Sequence, residues 1–381
     1  MTRVARTLEE VEALRPEWER VAITNPEADL DVFRSVVESS PEVIRPHVVM
    51  IDRPTGPPAL AVARLEERTL ELKAGYRTFA RPRLRALSVV YAGIAGGAGE
   101  GDYRELLDEL HGAVRDGEAD LLCLAKLRTD SALFQLARTI GSPVSRDHAP
   151  AVVPRTDVTV PDDFDAFLKA RSRNTRDNVK RYGKRLERAH GEGLEVRAYR
   201  APGEVDEALS AMERVAATTY QRALGVGFRD EPRQRALLEL GARQGHFRAW
   251  VLSIDGAPVA FWHGLAYGGT FYIGSPGYDP AHGDLRVGQY LQMQMMRDLC
   301  ADPAVQRLDY GFGDAQYKRS FGDRSWEEAD VLIFAARPRA LAVNALRTAV
   351  ALATRTAKRV LGPERIGTLK RRARQASVQP A

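Results

Sequence analysis

The residue types most capable of chemistry are concentrated in residues 309 to 322, DYGFGDAQYKRSFG, which follow a short apolar strand pattern. Two carboxylates, two phenols, an ammonium and three glycines occur within these fourteen residues. A second stretch, residues 273 to 280 followed by Gly283, Arg286 and Gly288, is rich in turn residues and opens a helical pattern. Backbone N–H groups at a helix start favour anions, phosphates above all. We therefore interpret the two stretches as one site, the best candidate in the chain.

Composition indicates a globular chain, because 381 residues with 44% hydrophobic and 28% charged residues can form two domains of ordinary size. No run reaches the roughly 18 consecutive apolar residues of a membrane span. Acids also lie near the N-terminus, where a signal peptide would have its apolar core, so we expect a cytoplasmic protein. Cys123 and Cys300 lack metal-ligand or CxxC spacing, and we expect two buried thiols and no metal.

The excess positive charge lies at the C-terminus. Residues 337–381 contain eleven Lys and Arg and one acid, a net +10, whereas the whole chain has +5, which leaves −5 for residues 1–336. An acidic body argues against a dedicated nucleic-acid-binding protein. A basic amphipathic helix is predicted over 340–361, followed by KRRAR at 370–374. Two interpretations stay open: peripheral contact with an anionic membrane at its inner face, or a helix packed on the body with a basic end.

Two parts of the chain share one pattern of elements. In each, a strand ends in Asp, a Gly/Pro turn follows, and a second strand, a helical stretch and an apolar strand come after it. The predicted elements are strands 47–52, 59–65 and 120–125 with helix 102–116, and strands 247–255, 259–266 and 305–310 with helix 286–300. We interpret this as a degenerate internal duplication, with chance similarity of two hairpins as the alternative. The predicted domains are 1–155, 156–336 and the tail 337–381.

The predicted helix over 171–188 carries eight bases and two acids. Val179, Tyr182 and Leu186 form an apolar stripe, and a second stripe is basic. The basic stripe consists of Arg173, Arg176, Lys180 and Lys184. It is either a solvated face or a basic wall beside an anionic ligand, since guanidinium groups match phosphate and carboxylate oxygens.

The order of these motifs resembles an acyltransferase of the GNAT superfamily. Residues 162 to 335 more narrowly resemble the CelD/BcsL-like acetyltransferase domain associated with cellulose biosynthesis. The resemblance rests on Arg173, Asn174 and Arg176, IDGAPVA at 254–260, GYDP at 277–280, Gly288 before a helix, DYGFGD at 309–314, and Tyr317 with Lys318. The duplication resembles the FemAB-like proteins, which are tandem GNAT folds. The expected fold class is therefore α/β (α+β): tandem GNAT-like folds, each a mixed sheet flanked by helices, plus a basic C-terminal helix.

The resemblance implies that an acyl-CoA pyrophosphate binds backbone amides before a helix. The corresponding residues are Gly283, Arg286, Val287, Gly288 and Gln289. The usual form is Gln/Arg-x-x-Gly-x-Gly/Ala, and this sequence keeps the arginine and one glycine at a different spacing. Acetyl-CoA or another acyl-CoA is thus the expected co-substrate, and the first lobe, whose Gly93 to Gly101 loop lacks the Asp/Tyr/Lys cluster, is expected to be structural or to supply one wall of the acceptor cleft.

Direct acyl transfer needs a positioned nucleophile, a route for its proton and donors for the oxyanion. Tyr317 resembles the GNAT tyrosine that protonates the CoA thiolate, and Asp314 is the first candidate for a general base, although it could simply cap a turn. Lys318 could pair with Asp314 or hold a substrate anion, and His263 is a candidate base near pH 7. The candidate substrate-binding residues are Arg173, Asn174, Arg176, Tyr278 and Asp309.

The predicted function is therefore an acyl-CoA-dependent N- or O-acyltransferase. Its acceptor would belong to a sugar, a polysaccharide or a cell-envelope precursor. Two alternatives stay open: a FemAB-like transferase that uses aminoacyl-tRNA, and a catalytically silent scaffold subunit of a polysaccharide assembly complex. No long heptad run of the kind that FemAB proteins often insert is found in the sequence.

Overall fold

The computed structural model describes residues 1–74, 77–97, 99–223, 227–354 and 356. The strands, numbered along the chain, are β1 (Thr2–Ala5), β2 (Val43–Ile51), β3 (Ala59–Thr69), β4 (Leu72–Ala74), β5 (Arg77–Ala80), β6 (Arg83–Gly96), β7 (Leu121–Arg128), β8 (Val152–Thr159), β9 (Leu194–Tyr199), β10 (Phe247–Ile254), β11 (Ala257–Tyr267), β12 (Thr270–Ile273), β13 (Gly277–Tyr278), β14 (Arg307–Phe312) and β15 (Arg324–Phe334). The helices are α1 (Leu8–Ala13), α2 (Arg15–Trp18), α3 (Leu30–Ser39), α4 (Glu100–Arg115), α5 (Ala132–Ala137), α6 (Phe164–Lys169), α7 (Arg173–His190), α8 (Val205–Thr218), α9 (Tyr220–Ala223), α10 (Pro232–Arg243), α11 (Val287–Cys300) and α12 (Gln316–Phe321).

The chain divides into two compact units. Unit 1 comprises Met1–Ala22, Pro41–Val152 and the described residues from Ala329 onward, and unit 2 comprises Ile23–Ser40 and Val153–Glu328. The predicted domain 1–155 includes residues 23–40, whereas the structure assigns them to unit 2. In the structure this segment bonds to unit 2, because Tyr272 donates to the Thr24 carbonyl at 2.6 Å and Tyr267 to Asp29 at 3.0 Å.

In unit 1, β1, β2, β3 and β6 pair with antiparallel neighbours, and β6 pairs in parallel with β7. Parallel neighbours need a crossover connection, which here is α4. Its buried residues Leu106, Leu107, Leu110 and Val114 recur at helical spacing and pack into the core of the unit. Each such fully buried leucine contributes about 1.5–3 kcal/mol to stability.

Unit 2 repeats this succession. β10, β11 and β12 form antiparallel pairs, and β12 pairs in parallel with β14 across the crossover helix α11. β9 flanks β10, β8 flanks β14, and β13 pairs with β11. The predicted internal duplication and the mixed sheet flanked by helices are therefore confirmed, with the two crossover helices found within two residues of their predicted bounds.

The two faces of the unit 2 sheet carry separate cores. Along β11, successive side chains point to opposite faces. Trp262 belongs to the core formed with α11, whereas Phe261 belongs to the core formed with α8. This alternation decides which candidate residues can share a site.

The C-terminal helix spans residues 338–354 in the structure. Asn344 donates to the carbonyls of Val144 and Arg146 at 3.0 and 2.9 Å, and Arg347 pairs with buried Asp147, so one side of the helix packs on unit 1. Of the predicted tail, residues 355, 357–361 and 370–374 lie outside the described residues. None of the helices described has the length and hydrophobicity to cross a bilayer.

Candidate active site

β12 and β14 part after three paired residues, and the gap between their ends is here called the cleft. The two strands pair in parallel from Thr270↔Arg307 to Tyr272↔Asp309. Beyond this point β12 ends, the Gly274 N–H donates to the His263 carbonyl, and the chain follows β11. β14 meanwhile continues to Phe312. Its last residues therefore have no strand partner on the β12 side among the described residues.

The end of β14 is shaped by two glycines in the left-handed region. Gly311 has φ +67° and Gly313 has φ +87°, conformations that side chains with a Cβ rarely adopt. Asp309 accepts a hydrogen bond from the Gly311 N–H at 2.7 Å, and Gly313 donates to the Pro154 carbonyl at 2.9 Å. The turn at the mouth of the cleft is thus held from both sides.

Lys318 is the cation of this site. Its side chain is only 5% exposed, and its Nζ donates to the carbonyls of Gly311, at 3.0 Å, and Phe312. Burial lowers the pKa of Lys318 to about 8, and the nearby Asp309 opposes this shift. An ammonium has three N–H donors, so one remains for a ligand. A lysine with such a pKa changes its charge close to neutral pH.

Asp309 is itself buried and held by Arg155 on β8. The Arg155 Nε and Nη2 both donate to one Asp309 oxygen, at 2.8 and 2.7 Å, and the guanidinium lies over the Phe312 ring at 4.5 Å. Glu328, which is 1% exposed, approaches Arg155 at 3.8 Å. This network fixes the strand end to which Lys318 binds, and it makes Asp309 a positioning group.

Tyr317 lies in an aromatic cluster beside Lys318. Its ring makes edge contacts with Trp262 and Tyr310, each with a centroid distance of 5.5 Å. The Tyr310 hydroxyl accepts from Gln292 of α11 at 3.1 Å, which links the cluster to the crossover helix. The ring of Tyr317 is therefore held next to the end of β14.

The first two backbone N–H groups of α11, those of Val287 and Gly288, have no partner among the described residues. The helix is preceded by Arg286 in the left-handed conformation (φ 58°, ψ 37°), and no side chain described here caps it. Val287 is fully buried, and Gly288 accepts from the Trp262 indole at 3.2 Å. Tyr278, 44% exposed, lies alongside, since a Cβ at Gly288 would meet it at 3.4 Å. Free N–H groups at a helix start favour an anion.

The sequence and the fold of the chain are similar to those of known proteins. The family model described as the acetyltransferase (GNAT) domain matches residues 173–319. The chain is similar to the crystal structure of FemX, with a TM-score of 0.61, 10% identity, and coverage of 90% of this chain and 100% of that chain. It is also similar to a tandem GNAT protein from the clavulanic acid biosynthesis pathway, with a TM-score of 0.51, 12% identity and coverage of 88% and 99%. The chain has a tandem GNAT-like fold.

A third structure with this fold is the C-terminal domain of a putative lysylphosphatidylglycerol synthetase from Agrobacterium fabrum, with a TM-score of 0.51, 12% identity and coverage of 90% and 96%. No curated protein compared with the chain matches it significantly. At these identities the similarities define the fold and leave donor and acceptor open.

In the GNAT-like fold, His263 lies on the opposite face of β11 from Trp262 and hence from Tyr317. Its ring contacts Phe228 and Phe261, with centroid distances of 5.1 and 6.1 Å, and is 3% exposed. Burial lowers its pKa to about 4, opposed by the Ser275 carbonyl. The expectation of a base near pH 7 therefore needs correction, because an apolar pocket keeps this ring neutral.

Four other predicted site residues are exposed or bonded to residues other than Lys318 and Tyr317. Asp314 is exposed and pairs with Arg319, so the suggested pairing of Lys318 with Asp314 is wrong. Arg173 is 89% exposed and lies 3.7 Å from Asp177. Asn174 is exposed at the start of the same helix, and Arg176 donates to the carbonyls of Lys169 and Arg171, where it fixes the turn into α7. Gly283, in the turn Pro280–Leu285, and Gln289 flank the start of α11.

Sequence analysis missed two groups of residues. Arg155 belongs to a strand too distant in sequence to be connected with Asp309. Arg181 and Arg185 lie beside Arg286, whereas the predicted basic stripe ran through Arg173, Arg176, Lys180 and Lys184. A signal was present, because Arg181 and Arg185 directly precede Tyr182 and Leu186 of the predicted apolar stripe. Residues that flank an apolar stripe face the edge of the helix contact.

Proposed function

We propose that the chain is an acyl-CoA-dependent acyltransferase that transfers the acyl group directly to an amine or hydroxyl. The observation that carries this proposal is the uncapped start of α11 beside the cleft between β12 and β14, with Lys318 and Tyr317 at the end of β14. The backbone N–H groups of residues 287 and 288 and the helix dipole would hold the donor pyrophosphate. The end of β14, which has no strand partner on the β12 side, would lie along the extended arm that carries the thioester.

The chemistry follows from these groups. The acceptor attacks the thioester carbonyl carbon, a tetrahedral oxyanion forms, and the C–S bond then breaks to release a thiolate. The remaining N–H of the Lys318 ammonium is suited to stabilise the oxyanion, since a preorganised donor in a buried site acts strongly. The Tyr317 hydroxyl is the candidate proton donor to the thiolate. The acceptor loses its N–H or O–H proton to water, and water returns a proton to the Tyr317 phenolate. Asp309, paired with Arg155, keeps the strand end in place.

The proposed acceptor class is a sugar, a polysaccharide or a cell-envelope precursor. The CelD/BcsL-like motifs support this choice, and the exposed ring of Tyr278 beside the start of α11 offers an apolar face that a sugar ring could contact. Acetyl-CoA is the proposed donor, with the acyl chain length to be determined by the same binding experiment.

Thermal stabilisation by acetyl-CoA and longer acyl-CoAs tests the proposal, because a ligand that binds only the native state raises the melting temperature. We expect a rise of several degrees for the wild type, little rise for Gly288→Glu, and most of the rise for Gly288→Gln. The variants should fold, since a Cβ at Gly288 meets only ordinary contact with Tyr278. The glutamate differs from the glutamine in charge alone, and it would repel the pyrophosphate.

A matched control lies in unit 1. Gly101 has the same second position in α4 that Gly288 has in α11, and nothing lies within 4 Å of a Cβ placed there. Gly101→Glu should therefore leave the stabilisation unchanged. If no thioester stabilises the wild type, the acyl-CoA proposal fails, and stabilisation by an aminoacyl-tRNA instead would establish the FemAB-like alternative. Tight binding to a membrane synthase without any donor would favour the scaffold alternative.

A further inference from the structure

A basic pocket lies beside the start of α11. Its volume is about 500 Å³, and it is lined by Arg181, Tyr182 and Arg185 of α7 and by Asp284 and Arg286 of the segment before α11. Arg181 and Arg185 are one helical turn apart, so both guanidinium groups face the same way. The Tyr182 ring contacts two of the cations, with the Arg181 and Arg286 guanidinium carbons 4.9 and 5.6 Å from its centroid.

The three guanidinium groups of the pocket form no ion pair with any described residue. Other arginines at the start of α7 are satisfied within the fold, since Arg171 pairs with Asp323 at 2.7 Å and Arg176 donates to two carbonyls. Three cations around one concave surface repel one another unless an anion lies between them. The pocket therefore has an excess of positive charge that an anionic ligand would neutralise.

The charge of the pocket selects a particular kind of anion. Three arginines and Asp284 sum to +2. A phosphate monoester carries −1.5 to −2 at neutral pH. Each phosphate of a nucleic-acid backbone is a diester with a single charge, and the body of the chain, residues 1–336, is acidic at −5. Both facts favour a small ligand with one terminal phosphate over an extended polyanion.

We infer that this pocket binds the 3′-phosphate of CoA, a monoester on the ribose next to the pyrophosphate. The inference rests on the proposed function, in which the pyrophosphate occupies the start of α11. Arg286 immediately precedes α11 and also lines the pocket, so the two phosphate positions adjoin as they do in CoA. Arg181, Arg185 and Arg286 would each donate charge-assisted hydrogen bonds to the monoester oxygens.

Isothermal titration with CoA and dephospho-CoA, which lacks only the 3′-phosphate, tests this inference. The wild type should bind CoA about tenfold or more tightly than dephospho-CoA, because dephospho-CoA cannot form the hydrogen bonds to the charged 3′-phosphate. Arg181→Gln/Arg185→Gln should bind both ligands with the affinity that the wild type has for dephospho-CoA. The double variant should fold normally, since both side chains are exposed.

Lys180→Gln/Lys184→Gln is the matched control, with the same charge change on exposed positions of the same helix outside the pocket. It should keep the tenfold preference. Equal affinity of the wild type for the two ligands would overturn the 3′-phosphate site while leaving the proposed function intact. Equal loss of preference in both double variants would also overturn the 3′-phosphate site, because the overall positive charge of the helix would then explain the effect. Binding of neither ligand would overturn the proposed function itself, and binding of tRNA alone through Arg181 and Arg185 would overturn the assignment to CoA.

Discussion

Lys318 shows how one residue acquires a charge that responds to neutral pH. Its ammonium is buried and donates to two backbone carbonyls. Burial lowers the pKa of Lys318 to about 8, and the negative charge of Asp309 opposes this lowering. Arg155 adds to the lowering while it neutralises Asp309. The charge of Lys318 therefore depends on Asp309 and Arg155 as well as on its own burial.

The first prediction concerns the pH dependence of transfer. If the Lys318 ammonium stabilises the oxyanion, kcat/KM should fall as the pH rises through about 8, since the neutral amine predominates above that value. Lys318→Arg should weaken the reaction but move this limb to much higher pH, because guanidinium stays protonated. Lys318→Met should lower kcat by about 100-fold or more. Initial rates of thiol release from pH 6 to 10 provide the measurement.

Arg319→Met, which alters the exposed neighbour of Lys318, is the control and should keep both rate and pH profile. A wild-type profile that rises through pH 8 would contradict the assigned role, since it would show that the neutral amine is the active form.

The second prediction concerns His263 and stability. Its ring contacts Phe228 and Phe261 and lies against the backbone of Gly274, where a Cβ would come within 2.1 Å of the ring. The pKa is lowered from 6.5 to about 4 by burial, so between these values the unfolded chain binds the proton that the native chain excludes. Stability contributed by the neutral ring is therefore present above pH 6.5 and lost as the pH falls towards 4.

Urea unfolding followed by tryptophan fluorescence at pH 7 and pH 4.5 measures this effect. The wild type should lose more stability between the two pH values than His263→Leu does. His148→Leu, which changes an exposed histidine, should behave like the wild type. An identical loss in the wild type and His263→Leu would show that His263 titrates normally in the fold.

At the scale of elements, sequence pattern predicts what is local and periodic. β10 and β11 lie within two residues of their predicted bounds, because apolar runs end at Asp255-Gly256 with a positive φ at both residues. The predicted loop Gly93–Gly101 begins too early, since β6 runs on to Gly96 through pairing with Ala59. Such an extension depends on a partner strand, which a local pattern does not contain.

The site itself was predictable in its residue types and only partly in its geometry. The cluster Asp309, Tyr317 and Lys318 is brought together because β14 and α12 are consecutive elements. The separation of His263 from Tyr317 depends on which face of β11 each core covers, and the choice between Lys318 and Arg319 as partner of Asp314 depends on one turn of α12. The position of His263 and the partner of Asp314 are both decided by tertiary packing, which strand alternation and helix spacing do not predict.

At the scale of the whole molecule, the two repeats differ at the start of the crossover helix. In unit 1 the Asp102 carboxylate accepts from the Gly99 N–H at 3.3 Å and also pairs with Arg53, so that α4 already carries an anion at its start. In unit 2 no described side chain has this position at α11. One repeat thus has a carboxylate at its helix terminus, and the other has no side-chain cap there among the described residues.

The third prediction follows from this asymmetry: the chain should bind one CoA, not two. Titration calorimetry should give a stoichiometry of one per chain, unchanged in Gly101→Glu and lost in Gly288→Glu. Asp102→Ala should cost about 1 kcal/mol of stability, the usual value of a helix cap, without changing the affinity for CoA. Two equivalent sites in the wild type would contradict the argument, since the carboxylate of Asp102 would then have to leave α4 for phosphate. A stoichiometry of one would therefore mean that a single aspartate, Asp102, keeps the first repeat from binding a donor.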